Sequence, residues 1–334
     1  MSIKPKKATL KDVAKRAGVS IATASYILNK QRSFNEKTTE KVLAAAKELQ
    51  YRPNFSAKVI RTGKTNTLGL VLPNQENPFF PELAKAIENS AHRQGYSVIL
   101  VDTQQSQKVE KQSTLRLMEL GVDGIIWCPL GEPDAYIHQY KGIPLVVIDR
   151  SDEKKRYDTI QCDHYSAGKH IAQHISNLGH SKIGVIAPPK ANTSWQLRLK
   201  GIKDYLPDST QIVWESENPL NTEINNETKS KLLSKSASLV VAGNDLTAIG
   251  AILILRKNGI STPDDISIIG YDGTKLSCIM TPKLTTICQP ISDIGATAVE
   301  MLIERIKKPD LPPRSKTLNT ELIIGHSTAN SSNI

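Results

Sequence analysis

The spacing of hydrophobic and polar positions changes character near residue 67: short amphipathic helices precede it, and strands alternating with helices follow it. In Thr9–Asn29, TLKDVAKRAGVSIATASYILN, the residues Val13, Ala14 and Ala17 recur at helical spacing and Gly18 stops the run. Thr9 followed by Asp12 forms a capping-box pattern at the start of this helix. Ser20 caps a second helix, in which Ala24, Ile27 and Leu28 are expected to face inward and Ile21, Ala22, Ser25, Tyr26 and Asn29 outward. Residues 35–49 predict a third helix, with Asn35 as N-cap and Val42, Leu43, Ala46 and Leu49 as the buried stripe. Two helices joined by a short turn containing glycine match a helix-turn-helix, whose second helix enters the DNA major groove. A helical hairpin inside a larger core has the same pattern, so the surroundings must decide.

Tyr51-Arg52-Pro53-Asn54 closes the helical unit, because the residue before a proline avoids the helical region. The segment after it, FSAKVIRTGKTNT, has a helix-like centre at Ser56–Arg61 and an exposed connector beyond. So short a helix does not hold in water alone, so DNA or a second copy of the chain would have to order it.

From Leu68 the strands LGLVLP, YSVILVD, GIIWC, PLVVID, KIGVIA, QIVWE, SLVVAG and DISIIGYD alternate with helices. The helices are expected over 81–94, through Leu120, near 134–140, and over 165–178, 195–205, 223–234 and 245–258. Continuously apolar runs such as VILVD suit parallel strands covered on both faces. Roughly ten such units exceed one comfortable doubly wound sheet, which implies two lobes side by side. A late helix, Ser292–Lys307, is expected to cross back over the first lobe. The expected fold is therefore an all-α helix-turn-helix headpiece plus an α/β two-lobed core of two doubly wound parallel sheets. The boundaries are 1–54 for the headpiece, 55–66 for a hinge helix and linker, and 67–334 for the core. Within the core, lobe 1 takes about 67–163 plus 291–318, and lobe 2 about 164–290 plus 319–330. Ligands of such sheets sit at the carboxyl ends of the strands, between the lobes.

Charge sharpens this division. Residues 1–64 hold 15 Lys or Arg against 4 Asp or Glu, whereas the other 270 residues hold 28 against 29. A small basic module beside a neutral body is the footprint of polyanion binding. A membrane-binding tail fits less well, because the lysines are interleaved with core-forming residues and no aromatic anchor appears. The four cysteines, Cys128, Cys162, Cys278 and Cys288, show no metal-ligand spacing and suit a reducing cytoplasm. No apolar leader or membrane-length run is present, so a soluble cytoplasmic protein is expected.

Catalytic patterns are absent. No phosphate-cradling glycine motif and no GxSxG elbow follows any strand, which argues against an enzyme and against a nucleotide cofactor. His170 and His174 lie four apart with His180 beyond, yet without the glutamate of a zinc-protease helix; solvated or core-edge histidines fit better. The charge run Asp152–Arg156 reads as a solvated loop. Polar residues at strand ends point instead to binding: Asp149, Asn244, Asp245 and Asp272, with Arg198 opening a helix. Carboxylates, an amide and an arginine can satisfy several hydroxyls of a small polar ligand, and Phe79, Phe80 or Trp195 could cover its apolar faces. A strand-end residue can equally cap the next helix.

These motifs together closely resemble the lactose-repressor family of bacterial transcription regulators. The likeness runs from about Thr9 to Gly325 and rests on TLKDVAKRAGVSIATASYILN, YRPN, AKVIRTGKTNTLGLVLP, NPFF, VDGII, GHSKIGVIA, RLKG, GNDLTAIGA, PDDISIIGYD and LTTICQP. It implies a core similar to periplasmic sugar-binding proteins, a homodimer, and a pseudo-palindromic double-stranded operator. It also implies a repressor of carbohydrate utilisation switched by a sugar or sugar phosphate, with a nucleobase or nucleoside, or corepression, as alternatives. No cofactor is implied, and no membrane. Carried over by position, Ile21 and Ala22 read base edges, where thymine methyl contact is the physical option open to them. Thr23, Ser25 and Asn29 hold bases or phosphates nearby, and Thr9, Ser20, Tyr51, Ala57 and Lys58 complete the DNA-binding set. Tyr26 departs from the arginine the family most often has, losing a bidentate guanine contact. Ile60 stands where the family usually carries a leucine wedging into the minor groove. The matching effector positions are Phe79, Phe80, Asp149, Arg198, Asn244, Asp272 and Gln289, with packing the favoured role for Cys288.

Overall fold

In a computed structural model of the chain, residues 8–29, 32–51, 59, 63–130, 142–149, 156–189 and 193–333 are described. The expected helix near 134–140, most of the Asp152–Arg156 charge run, and Ala57, Lys58 and Ile60 lie outside them. Two compact units meet between Thr65 and Asn66.

The first unit contains α1 (Leu10–Ala17), α2 (Ile21–Leu28) and α3 (Glu36–Glu48). The capping box forms: Thr9 Oγ1 accepts from the Asp12 amide at 3.3 Å, and Asp12 Oδ2 accepts from the Thr9 amide at 2.9 Å. Gly18 ends α1 with φ at 68°, a left-handed turn that a side chain would strain. Ser20 and Asn35 cap α2 and α3, accepting from Thr23 N at 3.0 Å and Thr38 N at 2.8 Å. Val13, Ala14, Ala24, Ile27, Val42, Ala45 and Ala46 close the core.

Two positions correct the sequence reading. Leu43 is 50% exposed, and Ala45 takes its place in the stripe. Val42, Ala45, Ala46 and Leu49 follow the i, i+3, i+4, i+7 spacing, whereas Leu43 lies about 100° around the helix from Val42. Ser25 is buried instead of outward. Its carbonyl accepts from Asn29 Nδ2 at 2.8 Å, with Oγ a further 3.3 Å partner, so Asn29 folds back over it.

The second unit holds two sheets. The first comprises β1 (Thr67–Leu72), β2 (Ser97–Asp102), β3 (Gly124–Trp127), β4 (Leu145–Ile148), β5 (Asp158–Cys162) and β11 (Ser315–Leu318). Its order is β11-β5-β4-β3-β1-β2, parallel throughout. The second comprises β6 (Lys182–Ala187), β7 (Gln211–Glu217), β8 (Leu239–Ala242), β9 (Ser267–Asp272), β10 (Thr285–Cys288) and β12 (Glu321–Ile323). Its order is β12-β10-β9-β8-β6-β7, with only β12 antiparallel. Both sheets wind alike, with the first strand between the second and third. That arrangement puts a topological switch point at the strand carboxyl ends of each.

The helices are α4 (Phe79–Arg93), α5 (Gln107–Glu119), α6 (His164–Asn177), α7 (Thr193–Tyr205), α8 (Asn226–Leu233), α9 (Asp245–Lys257), α10 (Lys275–Ile279) and α11 (Ile291–Lys307). α8 starts at Asn226 instead of 223 because Asn225 Oδ1 caps Thr228 N at 2.8 Å. α11 returns to pack on α4 and on β3, β4 and β5 of the first sheet. Its tether is Asp158, fully buried, which accepts from Arg305 Nη2 at 2.8 Å and Arg314 Nη2 at 2.9 Å. Burial alone would raise this carboxyl, but the hydrogen bonds of Arg314 and Arg305 hold it below its usual range. The chain crosses between the sheets after β5, after β10 and between β11 and β12.

Candidate functional site

On the first unit, α2 presents Ile21, Ala22 and Tyr26 to solvent, with Ile21 48% and Tyr26 38% exposed. Asn29 is exposed at the end of the helix and Thr23 is half-buried. Thr23 Oγ1 lies 2.8 Å from Ser20 Oγ, so these hydroxyls first serve the helix start. The guanidinium of Arg32 sits 5.5 Å above the Tyr26 ring, within cation–π range, placing a cation beside the phenol. Thr9 is exposed at the start of α1. Tyr51 packs its ring against the headpiece core, and burial raises its hydroxyl pKa. The exposed edge of α2 is thus apolar and aromatic.

In the second unit the strand ends bring two carboxylates into one cleft, one from each lobe. Asp149 follows β4 of the first sheet, and Asp272 ends β9 of the second. Asp272 is buried; its Oδ2 accepts from Asn77 Nδ2 at 3.2 Å and its Oδ1 from Gln289 Nε2 at 2.9 Å. Burial first, and then the nearby Asp245, push its carboxyl up to about 8, against the pull of Arg198. Asp149 Oδ1 lies 2.7 Å from His164 Nε2 and accepts from Ser194 Oγ at 3.1 Å. Arg198 donates from Nη1 to the Gly243 carbonyl at 3.0 Å and lies 3.3 Å above the Tyr271 ring. Tyr271 is fully buried, with its hydroxyl 2.8 Å from His164 Nδ1. Cys162, also buried here, is pushed up to about 12 by burial and then by Asp149, and so stays a thiol.

The local reasons for this geometry are close backbone approaches. A Cβ on Gly168 of α6 would lie 2.1 Å from the Arg198 carbonyl, and one on Gly201 of α7 would lie 2.1 Å from the Tyr165 carbonyl. The two glycines let α7 lie directly on α6, which brings Arg198 to the cleft.

Four of the sequence-derived residues, Asp149, Arg198, Asp272 and Gln289, therefore converge, and the others are used differently. Phe79 is buried in the apolar cluster of lobe 1, and Phe80 meets it edge-on at 5.2 Å, half-buried against the same cluster. Asn244 is spent on its helix: Oδ1 accepts from Thr247 N at 2.9 Å, and Nδ2 donates to the Leu220 carbonyl at 3.2 Å. Asp245 accepts from the Thr274 amide at 2.9 Å and from Thr286 Oγ1 at 2.6 Å, inside lobe 2. Trp195 is buried with Val185 and Ala187. Sequence reasoning missed Asn77, His164, Ser194 and Tyr271. Asn77 opens the NPFF motif and Tyr271 lies in a recognised strand, so both had a signal; His164 follows a strand with no clear apolar run.

His174 and His180 are core-edge groups: His174 Nε2 lies 3.1 Å from Thr328 Oγ1, and His180 Nδ1 lies 2.8 Å from Ser238 Oγ. Among the described residues no group of His, Cys, Asp and Glu is arranged to hold a metal ion, and no helix is long and apolar enough to cross a membrane.

A basic helix-turn-helix unit followed by a two-lobed core with a polar cleft defines a ligand-responsive DNA-binding protein. Comparison with known proteins gives the family. Residues 9–54 match the model of bacterial regulatory proteins of the lacI family, and residues 65–329 match that of periplasmic binding proteins and the sugar-binding domain of the LacI family. The chain belongs to the LacI family and is a DNA-binding transcriptional regulator. It is 34% identical over 325 residues to the HTH-type transcriptional repressor PurR of Pasteurella multocida, covering 95% of this chain and 97% of that protein. It is equally 34% identical over 314 residues to the ribose operon repressor of Escherichia coli, covering 91% and 94%. The lac repressor dimer, solved on its operator with the anti-inducer ONPF, superposes with a TM-score of 0.86 at 28% identity over 97% of this chain and 100% of that one. A LacI family regulator from Enterococcus faecium with bound ribose gives 0.70 at 29% identity, over 79% and 99%. PurR, the ribose operon repressor and the lac repressor are named as repressors, and the Enterococcus faecium protein as a transcriptional regulator.

Proposed function

We propose that this regulator is a repressor of a carbohydrate-utilisation operon, binding a pseudo-palindromic operator as a homodimer and switched by a small neutral sugar in the cleft. The observation that carries the reading is the convergence of Asp149, Asp272, Arg198, Asn77 and Gln289 at the strand ends of both lobes. These groups suit a ring of hydroxyls, which both donate and accept. Among the described residues the guanidinium of the cleft, Arg198, is stacked on Tyr271 and bonded to the Gly243 carbonyl, an environment suited to a neutral sugar. The ribose repressor and the ribose-bound regulator among the relatives support the same class. The PurR relatives, at similar identity, keep a purine as second reading, but Phe79 is buried in the lobe and offers it no stacking face.

On this reading Ile21, Ala22 and Tyr26 choose the operator, Ile60 wedges at its centre, and the core binds without catalysis. The regulator acts on the nucleoid in the cytoplasm. The ligand acts only through its different affinity for the two lobe arrangements. The test is operator selection with the full chain, with and without a panel of neutral sugars, sugar phosphates and purine bases. Recovery of a two-fold symmetric site whose occupancy changes with a neutral sugar is the expected result; response to a purine alone would replace the ligand class. Deleting residues 1–64 should abolish specific DNA binding while leaving ligand binding within about twofold, since few contacts join separately folding domains.

A further inference from the structure

We propose that His164 is a positioning residue that sets Asp149 and Arg198 for the ligand, and that its ring links the two lobes. The proposal rests on the cleft reading above. His164 stands at the first crossing between the sheets, directly after Asp163 and as the first residue of α6. It is 2% exposed. Its Nε2 lies 2.7 Å from Asp149 Oδ1 in lobe 1, and its Nδ1 lies 2.8 Å from the Tyr271 hydroxyl in lobe 2. The Nε–H of Arg198 approaches the same Nδ1 at 3.5 Å while its guanidinium lies on the Tyr271 ring.

A neutral imidazole donates at one nitrogen and accepts at the other, and its partners choose which. The carboxylate of Asp149 calls for a donor, so the proton belongs on Nε2. Nδ1 is then an acceptor. It takes the hydrogen of the Tyr271 hydroxyl, which burial pushes up and keeps protonated. The opposite tautomer would turn an N–H toward Arg198 and a lone pair toward a carboxylate. The Asp149 carboxylate thus fixes the tautomer, the tautomer fixes the Tyr271 hydroxyl, and the Tyr271 ring carries Arg198.

The second crossing repeats the device. Gln289, directly after β10, donates to Asp272 at 2.9 Å. Each cleft aspartate is therefore held by a residue of a segment whose torsions must change when the lobes rotate. A histidine that only filled space would have a proton indifferent to Asp149.

The full-length protein, labelled with nitrogen-15 in its histidine rings, tests this at pH 7.5, with the His164 signals assigned by their loss in His164→Gln. A neutral ring protonated on Nε2 is expected. Asp149→Asn, whose amide can donate to Nε2, should move the proton to Nδ1, and Tyr271→Phe should shift Nδ1 alone. His174 and His180 should not respond to either. In a second arm, D-ribose and the other sugars of the panel are titrated: His164→Phe should weaken binding about tenfold or more, as for a lost hydrogen bond to a charged group, and His164→Gln should recover part of the loss. Ring nitrogens that ignore both neighbouring substitutions, or sugar affinity unchanged in His164→Phe, would overturn the proposal. A wild-type chain that takes no sugar defeats the cleft reading instead, while the first arm still decides whether the relay exists.

Discussion

Asp149 and Asp272 both hold positive φ, 61° and 125°, where a residue with a Cβ is strained. Each ends or follows a strand of its own lobe, so the strain falls on the two carboxylates that face each other's lobe. Asp272 also carries a proton cost that can be measured. Burial and Asp245 raise it from 3.8 to about 8, so the folded chain keeps a proton that the unfolded chain has already lost over that interval. Its contribution to stability is complete below about pH 4 and is lost as pH rises through 8. Asp272→Asn keeps the shape and cannot ionise, so the decline in melting temperature between pH 6.5 and 8 should flatten in the variant. A sugar hydroxyl donating to this carboxylate favours its ionised form. Binding at pH 7 should therefore release a proton, seen as calorimetric heats that differ between phosphate and Tris; equal heats would contradict it. At the other end of the chain, Tyr26 is 38% exposed and has one hydroxyl where the family most often has a guanidinium fork. Tyr26→Arg should add a guanine preference at one base pair of each half-site, by roughly tenfold for about 1–3 kcal/mol of discrimination, as read by binding-site selection.

Among the elements, the α6–α7 pair couples packing to the site most directly. Gly168 would place a Cβ 2.1 Å from the carbonyl of Arg198 itself, and Gly201 would place one 2.1 Å from the Tyr165 carbonyl. Backbone cannot rotate away as a side chain can, so Gly201→Ala must push the helices apart. We expect a loss of about 3 kcal/mol, at the upper end of overpacking costs, with weakened sugar binding because Arg198 leaves Tyr271. Thermal melts and a sugar titration check both, and a variant with wild-type melting would show that the helices can separate freely. The elements also explain what the sequence could reveal. β1, β4, β8 and β9 are mostly apolar runs, almost entirely buried, and composition with the flanking turns suffices to find them. β10 reads TTIC and β5 reads DTIQC, with threonines and a glutamine interrupting the apolar run, and β11 is a largely exposed edge strand. None has an apolar run to recognise. His164 follows β5, so it was invisible for the same reason, whereas Asp149 and Asp272 were legible because their strands were. Phe79 misled in the opposite direction: its motif marks the right turn, but Asn77 is the residue that reaches Asp272.

At the scale of the whole core, lobe 2 carries titrating groups of opposite sign. The C-terminal segment is fastened along lobe 2 by His180, with Nδ1 2.8 Å from Ser238 Oγ and Nε2 3.1 Å from the Ala329 carbonyl, and by His174 against Thr328. Burial lowers both imidazoles; His180 lowers His174 further, and the Ala329 hydrogen bond only partly offsets burial at His180. Below about pH 6.5 the unfolded chain therefore takes up protons that the folded chain refuses. The contribution of these histidines is complete above that pH and is lost as pH falls toward their lowered values. Asp272 acts in reverse and is the one of the three still changing between 6.5 and 8. Stability of the core, followed by thermal unfolding of a chain lacking residues 1–64, should accordingly fall on both sides of a maximum near pH 6.5, with each side flattened by a different substitution. His180→Gln should flatten the acid limb while leaving the alkaline one, because an amide keeps a donor and an acceptor and takes no proton. Asp272→Asn should flatten the alkaline limb and steepen the acid one, because this carboxyl opposes the histidines there. If His180→Gln left the acid limb as steep as before, the fastening of the C-terminal segment would not depend on a neutral imidazole, and the carboxylates of lobe 1, beginning with Asp158, would have to account for acid sensitivity.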